Sequence, residues 1–238
     1  MSASLLWRST SRFHDWNDGR FVTTLLTRAV EIGVLERVDW IATEANGDRQ
    51  SVRLDDRAEL PSELVKRVPR KPVRYLEAGG DAPAPWSIQI LIAPYIASER
   101  RVYGMDVVAL LFDGRAFEST AGSSRLATTF RETHTLDDTE YAGIHWYERW
   151  MQLNNSTYDP AVTYTPMFSG VVWANFLGRG HLEQFDRHQL AALPPSQASW
   201  IGSEGLFLVA DASLEAARGE PIESELARLT QIFRRARK

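Results

Sequence analysis

The segment from His134 to His145 holds the densest group of side chains that could do chemistry in this sequence. It reads His-Thr-Leu-Asp-Asp-Thr-Glu-Tyr-Ala-Gly-Ile-His, so the carboxylates of Asp137, Asp138 and Glu140 lie between two imidazoles. Imidazoles and carboxylates are common general acids and bases, and both groups also bind metal ions. The spacing matches no metal-ligand motif, however, so the segment alone predicts neither a catalytic residue nor a metal site.

A structural interpretation explains the same residues with fewer assumptions. Aspartate is a favoured cap at the start of an element, because its carboxylate accepts hydrogen bonds from free backbone N–H groups. We therefore predict that Asp137 and Asp138 cap the next element and that His134 and His145 lie at half-exposed positions. The element itself, from Asp137 to Leu153, is compatible with either a helix or a strand.

A second group of possible ligands comprises His181, Glu183, Asp186 and His188. The two histidines are seven residues apart and could share a helix face. A zinc site carried by one helix needs histidines at positions i and i+4, and that pair is missing here. The group therefore predicts no metal site.

The tripeptide Gly178-Arg179-Gly180 precedes this second group. Free backbone amides at the start of a helix can hold an anion, and the arginine would add positive charge. The spacing fits neither Gly-x-Gly-x-x-Gly nor a P-loop, so we predict a simple turn that leads into a helix.

Aromatic residues are concentrated between residues 141 and 158: Tyr141, Trp146, Tyr147, Trp150 and Tyr158. Large aromatic side chains are core residues in most proteins, and we predict the same for most of these. The alternative is an exposed aromatic surface, because tryptophan and tyrosine are also frequent anchors of protein interfaces.

The composition is that of an ordinary globular protein of 238 residues, with 44% hydrophobic and 24% charged residues. The absence of cysteine excludes disulfides, cysteine nucleophiles and cysteine-based zinc sites. A formal net charge of −4 argues against nucleic-acid binding, and we interpret the basic segment Arg67 to Arg74 as a solvated loop. We predict no cofactor, and we expect any protein partner to be basic.

No targeting or membrane segment is evident. The first ten residues lack the basic start and apolar run of a secretory signal. The longest apolar runs are far shorter than the roughly 20 residues that a membrane-spanning helix needs. We therefore expect a soluble, cytoplasmic protein without a membrane partner.

Hydrophobic periodicity and turn residues predict the main elements. One helix is expected from Arg20 to Arg37, and its buried stripe comprises Phe21, Leu25, Leu26, Ala29, Val30 and Ile32. Another is expected from Pro221 to Arg235, and its buried stripe comprises Ile222, Leu226, Leu229 and Phe233. Asn46-Gly47 is a preferred pair for a tight hairpin turn. The other predictions are a helix from Pro61 to Val68, a strand from Val73 to Ala78 that turns at Gly79-Gly80, strands at Ser87 to Ala93, Tyr103 to Phe112 and Gly205 to Ala210, and a helix from Ser123 to Thr133.

The stretch from Phe168 to Phe185 is the most apolar in the chain and predicts a buried strand, a glycine turn and a helix that continues through Leu190. With the other elements it indicates an α+β fold, in which a mainly antiparallel sheet is flanked by helices near both chain ends. We expect residues 1–238 to form a single domain.

Gly170-Val-Val-Trp-Ala-Asn-Phe-Leu-Gly178, followed by His181-Leu-Glu-Gln-Phe185, resembles the C-terminal part of bacterial immunity proteins. These are encoded beside polymorphic or type VI secretion toxins, and the likeness is to the immunity-52-like group. In that group a strand with an aromatic residue, an asparagine and a closing glycine precedes a helix. The resemblance implies a protein that acts by surface complementarity, and it carries over no individual contact residue.

Two functional hypotheses follow. In the first, the chain neutralises a cognate toxin by covering its active site, and the candidate partner-binding residues are Asp137, Asp138, Glu140, Tyr141, Trp146 and Trp150. In the second, the chain is a small hydrolase or nucleotide-modifying enzyme that uses His134, His145 and the carboxylates between them. Convergence of these side chains in one cleft would favour the enzyme.

Overall fold

The computed structural model describes residues 4–12, 20–34, 39–45, 48–53, 75–80, 86–91, 105–135, 139–149, 170–211, 213–215 and 220–238. The described elements confirm the predicted α+β class with antiparallel strand pairs. By its internal contacts the chain divides into two compact units, Thr10–Asp113 and the combination of Met1–Ser9 with Gly114–Lys238. The single domain therefore stays a prediction, and the two units are described separately below.

The elements in chain order are β1 (Ser4–Arg12), α1 (Arg20–Glu31), β2 (Trp40–Ala45), β3 (Asp48–Arg53), β4 (Tyr75–Gly80), β5 (Trp86–Leu91), β6 (Met105–Asp113), a 3₁₀ helix (Arg115–Phe117), α2 (Thr120–Thr135), β7 (Thr139–Trp146), β8 (Ala174–Leu177), α3 (Arg179–Leu182), α4 (Arg187–Leu190), β9 (Ala198–Ile201), β10 (Gly205–Val209) and α5 (Glu220–Ala236). None of the helices in the described ranges is both long enough and apolar enough to span a bilayer.

In the unit Thr10–Asp113, the strands lie in the order β3-β2-β4-β5-β6, and every neighbouring pair is antiparallel. The predicted hairpin is confirmed by its register, because Ala45 lies opposite Asp48, although its turn residues are outside the described ranges. The predicted helix at residues 61–68 also lies outside them. The paired strands β5 and β6 confirm the two strands expected there.

Helix α1 confirms the predicted amphipathic helix but ends earlier than expected. Gly33 has a φ of 76°, and the N–H groups of Gly33 and Val34 bond back to Val30 and Ala29. This pattern closes a helix, because the left-handed glycine turns the chain away from the axis. Val30, expected in the buried stripe, is instead exposed.

The predicted turn at Gly79-Gly80 is wrong, because both glycines belong to strand β4 and pair with β5. A Cβ atom added to Gly79 would lie 2.6 Å from the Trp40 ring and 2.7 Å from the Trp86 carbonyl oxygen. The residue is therefore a glycine because the Trp40 ring packs directly against the strand backbone.

In the other unit, the strands lie in the order β1-β7-β8-β10-β9. β8 is buried along its whole length between β7 and β10, as predicted for this apolar stretch. On one face, Phe130 and His134 of α2 pack against Phe207 and Phe176. On the other face, His181 of α3 contacts the ring of Tyr141.

The C-terminal helix α5 confirms its prediction, with Ile222, Leu229 and Phe233 buried. The helix expected to continue through Leu190 is interrupted between α3 and α4. Its interruption coincides with an isolated bridge between Phe185 and Arg237, and the N–H of Asp186 donates to the carbonyl oxygen of Ala236. Pairing with the end of α5 therefore replaces the helical hydrogen bonds at this point.

Candidate functional site

His134 lies in the last turn of α2 and is fully buried, so its predicted half-exposed position is wrong. Its Nε2 is 3.0 Å from the indole Nε1 of Trp7 and 3.3 Å from the hydroxyl of Ser9. Its Nδ1 is 3.0 Å from the hydroxyl of Thr139. Because an indole N–H can only donate, Nε2 must accept, and the proton of the neutral ring is on Nδ1.

Aromatic rings surround His134 on three sides. The ring centroids of Phe130, Phe176 and Trp7 lie 4.7, 5.7 and 5.7 Å from that of His134. Burial among these rings lowers the pKa of His134 to about 3, because an imidazolium would lose its hydration there. His134 is therefore neutral at physiological pH and connects α2 to β1 and β7.

His145 lies near the end of β7 and is also buried, so the half-exposed prediction is wrong for this residue too. Burial, with a smaller contribution from the positive charge of Arg149, lowers the pKa of His145 to about 3. Within the described residues, the Nδ1 atom of His145 has no hydrogen-bond partner. Arg149 forms an ion pair with Glu223 of α5.

The two histidines do not share a site. Ala142 lies opposite Phe176, whose ring stacks on His134, so Ala142 marks the face of the sheet that His134 contacts. His145 is three residues further along β7 and therefore points to the opposite face. Thr139, whose hydroxyl contacts His134, is the first residue of β7, and His145 lies six residues beyond it, which corresponds to about 20 Å along the strand.

The side chains of the three carboxylate residues in the same segment lie outside what the structure describes. Asp137 and Asp138 lie outside the described residues, and for Glu140 only the backbone position in β7 is described. The described ranges contain no group of three or more histidine, aspartate or glutamate side chains that could hold a metal ion.

The second predicted group is also dispersed. His181 is buried against Tyr141, with ring centroids 5.5 Å apart, whereas His188 is exposed. The carboxylate of Asp186 caps α4 by accepting a hydrogen bond from the backbone N–H of His188. The carboxylate of Glu183 accepts a hydrogen bond from Arg179 at 3.1 Å. The carboxylates of Asp186 and Glu183 therefore have local structural roles.

The break predicted at Gly178 is confirmed, because Gly178 lies between β8 and the short helix α3. Arg179 and Gly180, which were predicted to belong to the turn, are instead the first two residues of that helix. The asparagine of the preceding strand also has a clear role. The Asn175 side chain accepts a hydrogen bond from the N–H of Val172 and donates one to the carbonyl oxygen of the same residue. It thereby satisfies two backbone groups that are buried where the chain enters β8.

Of the candidate partner-binding aromatic residues, Trp146 is a core residue with 5% of its surface exposed. Its indole N–H donates to the carbonyl oxygen of Leu214 at 3.1 Å, and a Cβ atom added to Gly114 would lie 2.5 Å from its ring. Tyr141 is half-buried, and Trp150 lies outside the described residues. The assignment of the candidate residues as partner contacts stays a prediction.

The described part of the chain has one exposed tryptophan, Trp200 on β9, with 40% of its surface accessible. The guanidinium group of Arg187 lies 5.5 Å from the centre of the Trp200 ring. Neither residue was predicted from the sequence. The available signal was a tryptophan in a short segment after Pro194-Pro195, in which Ile201 is the only other large apolar residue.

Comparison with known proteins places only the fold. No protein-family model matches the chain, and no curated protein matches it. Among solved structures, the chain is similar to one described as Pseudomonas aeruginosa T6SS protein PA0821, with a TM-score of 0.64 and 13% sequence identity. The alignment covers 99% of this chain and 74% of the other. At this identity the likeness shows a shared fold.

Proposed function

We propose that this chain is an immunity-type protein of a type VI secretion system, which acts in the cytoplasm by binding a cognate toxin and covering its active site. The observation that carries the proposal is the likeness in fold to a T6SS protein over 99% of the chain. The resemblance of residues 170–185 to immunity proteins of the immunity-52-like group points to the same role independently.

The structural roles of the histidines support binding rather than catalysis. His134 is hydrogen-bonded and enclosed by aromatic rings, and His145 lies on the opposite face of the sheet. The enzyme hypothesis needs these two side chains in one cleft, whereas an inhibitor needs only a complementary surface. The binding hypothesis therefore requires no shared position for the two histidines.

The expected toxin surface is basic, because this chain carries a net charge of −4 and opposite charges accelerate and orient association. The candidate contacts are Asp137, Asp138, Glu140 and Tyr141, with Trp150 beyond the end of β7. We leave Trp146 out of this contact surface, because burial in the core keeps its ring away from solvent.

The proposal is tested by isothermal titration calorimetry with the toxin-like C-terminal domain encoded by the neighbouring reading frame. We expect a Kd below about 100 nM. Changing Asp137, Asp138 and Glu140 to lysine together is expected to weaken binding about 100-fold, because three attractive charges become repulsive.

A matched control changes Glu183, Glu204 and Glu215 to lysine, which alters the net charge by the same amount at exposed positions elsewhere. This control is expected to change Kd less than about threefold. No binding by the unmodified chain would contradict the proposed function. Equal weakening by both triple variants would refute the contact assignment alone.

A further inference from the structure

Strand β9 leaves backbone hydrogen-bonding groups unpaired at an edge of its sheet. Within the described residues β9 pairs only with β10, and the N–H of Val209 donates to the carbonyl oxygen of Gln197. Because alternate residues of an antiparallel strand face alternate sides, both backbone groups of Trp200 point away from β10. The carbonyl group of Ala198 points the same way, while its N–H bonds to Pro194.

The same edge displays an aromatic ring and a cation in contact. The Trp200 ring is exposed, and the guanidinium group of Arg187 lies over it while also donating to the carbonyl oxygen of Ser203. Contact with the cation and the anchoring of Arg187 restrict the motion of both side chains. Tryptophan and arginine are the residues that most often dominate the energy of protein interfaces.

Positive charge is concentrated beside the start of α4, the helix that carries Arg187. The last turn of α5 and the residues after it carry four exposed cations, Arg234, Arg235, Arg237 and Lys238. The hydrogen bond from Asp186 to Ala236 and the bridge between Phe185 and Arg237 place this turn next to the start of α4, where Arg187 lies.

The balance of charges around Arg187 and the end of α5 differs from that of the whole chain. Residues 179–188, 200–204 and 234–238 contain six lysine or arginine residues and three carboxylate residues, whereas the chain as a whole has a net charge of −4. Two of those carboxylates, on Glu183 and Glu204, already lie beside Arg179. The cations of the α5 end are therefore left to attract negative charge from outside this surface.

We propose that this surface, which we call the β9 strip, docks an extended acidic segment of a partner protein as an additional strand beside β9. The strip consists of Ala198–Ile201, Arg187 and the four cations at the end of α5. The backbone groups of Ala198 and Trp200 supply main-chain hydrogen bonds, the indole contacts an apolar side chain, and the cations contact carboxylates.

A peptide fits these features better than a nucleic acid does. A phosphate backbone has no N–H groups to donate to the outward carbonyl oxygens of Ala198 and Trp200, whereas an extended peptide offers both donors and acceptors in register. The β9 strip is distinct from the candidate toxin contacts at residues 137–141 and has the opposite charge. If no acidic peptide binds the β9 strip, the proposed toxin binding is therefore unaffected.

The test uses the full chain and a fluorescein-labelled decapeptide of alternating glutamate and valine, with binding followed by fluorescence anisotropy. We expect a Kd on the order of 10–100 μM, as is reasonable for one short added strand. A peptide of alternating lysine and valine is expected not to bind. Replacing the valines by proline is expected to weaken binding at least about tenfold, because proline has no N–H group.

Charge reversal separates the β9 strip from general electrostatic attraction. The double variant Arg187→Glu/Arg237→Glu is expected to bind at least about tenfold more weakly. The matched control Arg125→Glu/Arg131→Glu changes the same number of exposed arginines on α2, and each of these also lies over an aromatic ring. We expect this control to retain binding, and circular dichroism verifies that both variants are folded.

Hydrogen–deuterium exchange distinguishes strand addition from other modes of binding. The backbone amide of Trp200 is expected to exchange quickly in the free protein and to become protected when the acidic peptide is bound. Binding without this protection, or equal weakening by both double variants, would overturn the proposal. Tighter binding of a single-stranded oligonucleotide that is lost in Arg187→Glu/Arg237→Glu would also overturn it and identify a nucleic-acid surface.

Discussion

Replacement of His134 by alanine is expected to lower the free energy of unfolding by about 3–5 kcal/mol. The substitution removes the acceptor of the Trp7 indole N–H and the partner of the Thr139 hydroxyl, both of which are buried. It also leaves a cavity between Phe130 and Phe176. Chemical denaturation at pH 7.5 measures the loss.

A milder variant keeps this prediction testable if His134→Ala does not fold. Thr139→Ala removes one hydroxyl and leaves the ring in place, so we expect a loss of about 1–2 kcal/mol. The control His188→Ala changes an exposed histidine and should remain within about 0.5 kcal/mol of the unmodified protein. A His134→Ala protein as stable as this control would show that His134 does not hold the unit together.

Acidification from pH 7.5 to pH 5 is expected to destabilise the protein by about 4 kcal/mol through its two buried histidines. Each has a pKa of about 3 in the folded state against an ordinary value of 6.5. The unfolded chain therefore binds more protons between these values, and stability falls as the pH decreases through this window. The stability that the two neutral histidines give to the folded protein is fully present above pH 6.5 and is lost near pH 3.

The variant His145→Leu tests whether His145 contributes half of this pH dependence. Leucine is apolar and of similar size, and the replaced Nδ1 atom has no hydrogen-bond partner within the described residues. We therefore expect little loss of stability at pH 7.5 and a pH 7.5-to-5 difference smaller by about 2 kcal/mol. Denaturation curves at both pH values, with His188→Ala as the control, measure this. An unchanged difference would mean that His145 is not buried in its neutral form.

Elements fixed by neighbouring residues were predictable from the sequence. Asn46-Gly47 predicted the pairing of β2 with β3, and Ala45 and Asp48 lie opposite each other. The stripe of Ile222, Leu226, Leu229 and Phe233 identified α5 without any knowledge of what covers it, although Leu226 is only partly buried. In both cases the signal and the structure lie within one turn or one helix.

Elements that depend on distant residues were not predictable. β1 was not predicted, because Ser9 occupies a buried position that an apolar residue would have marked. Its partner His134 is 125 residues away in the sequence. The segment from Asp137 to Leu153 was ambiguous locally, and pairing with β8 makes residues 139–146 a strand.

The candidate site was the least predictable part, for the same reason. Burial of His134 depends on Trp7, whose indole N–H replaces the water that a half-exposed imidazole would bind. The sequence placed His134 and His145 together because they are close in the chain, whereas strand alternation places them on opposite faces of the sheet. Trp200 was not predicted as an exposed residue, because β9 has only four residues and no apolar alternation.

We propose that this chain protects a cell by binding a toxin, without chemistry by its histidines. The most direct measurement is the survival of a bacterial host that expresses the toxin-like domain of the neighbouring reading frame together with either the unmodified chain or the His145→Leu variant. We predict full and equal survival with both proteins, because neither imidazole takes part in protection. Survival with the unmodified chain and death with a folded His145→Leu variant would contradict the proposed function. Death with both proteins would contradict it as well.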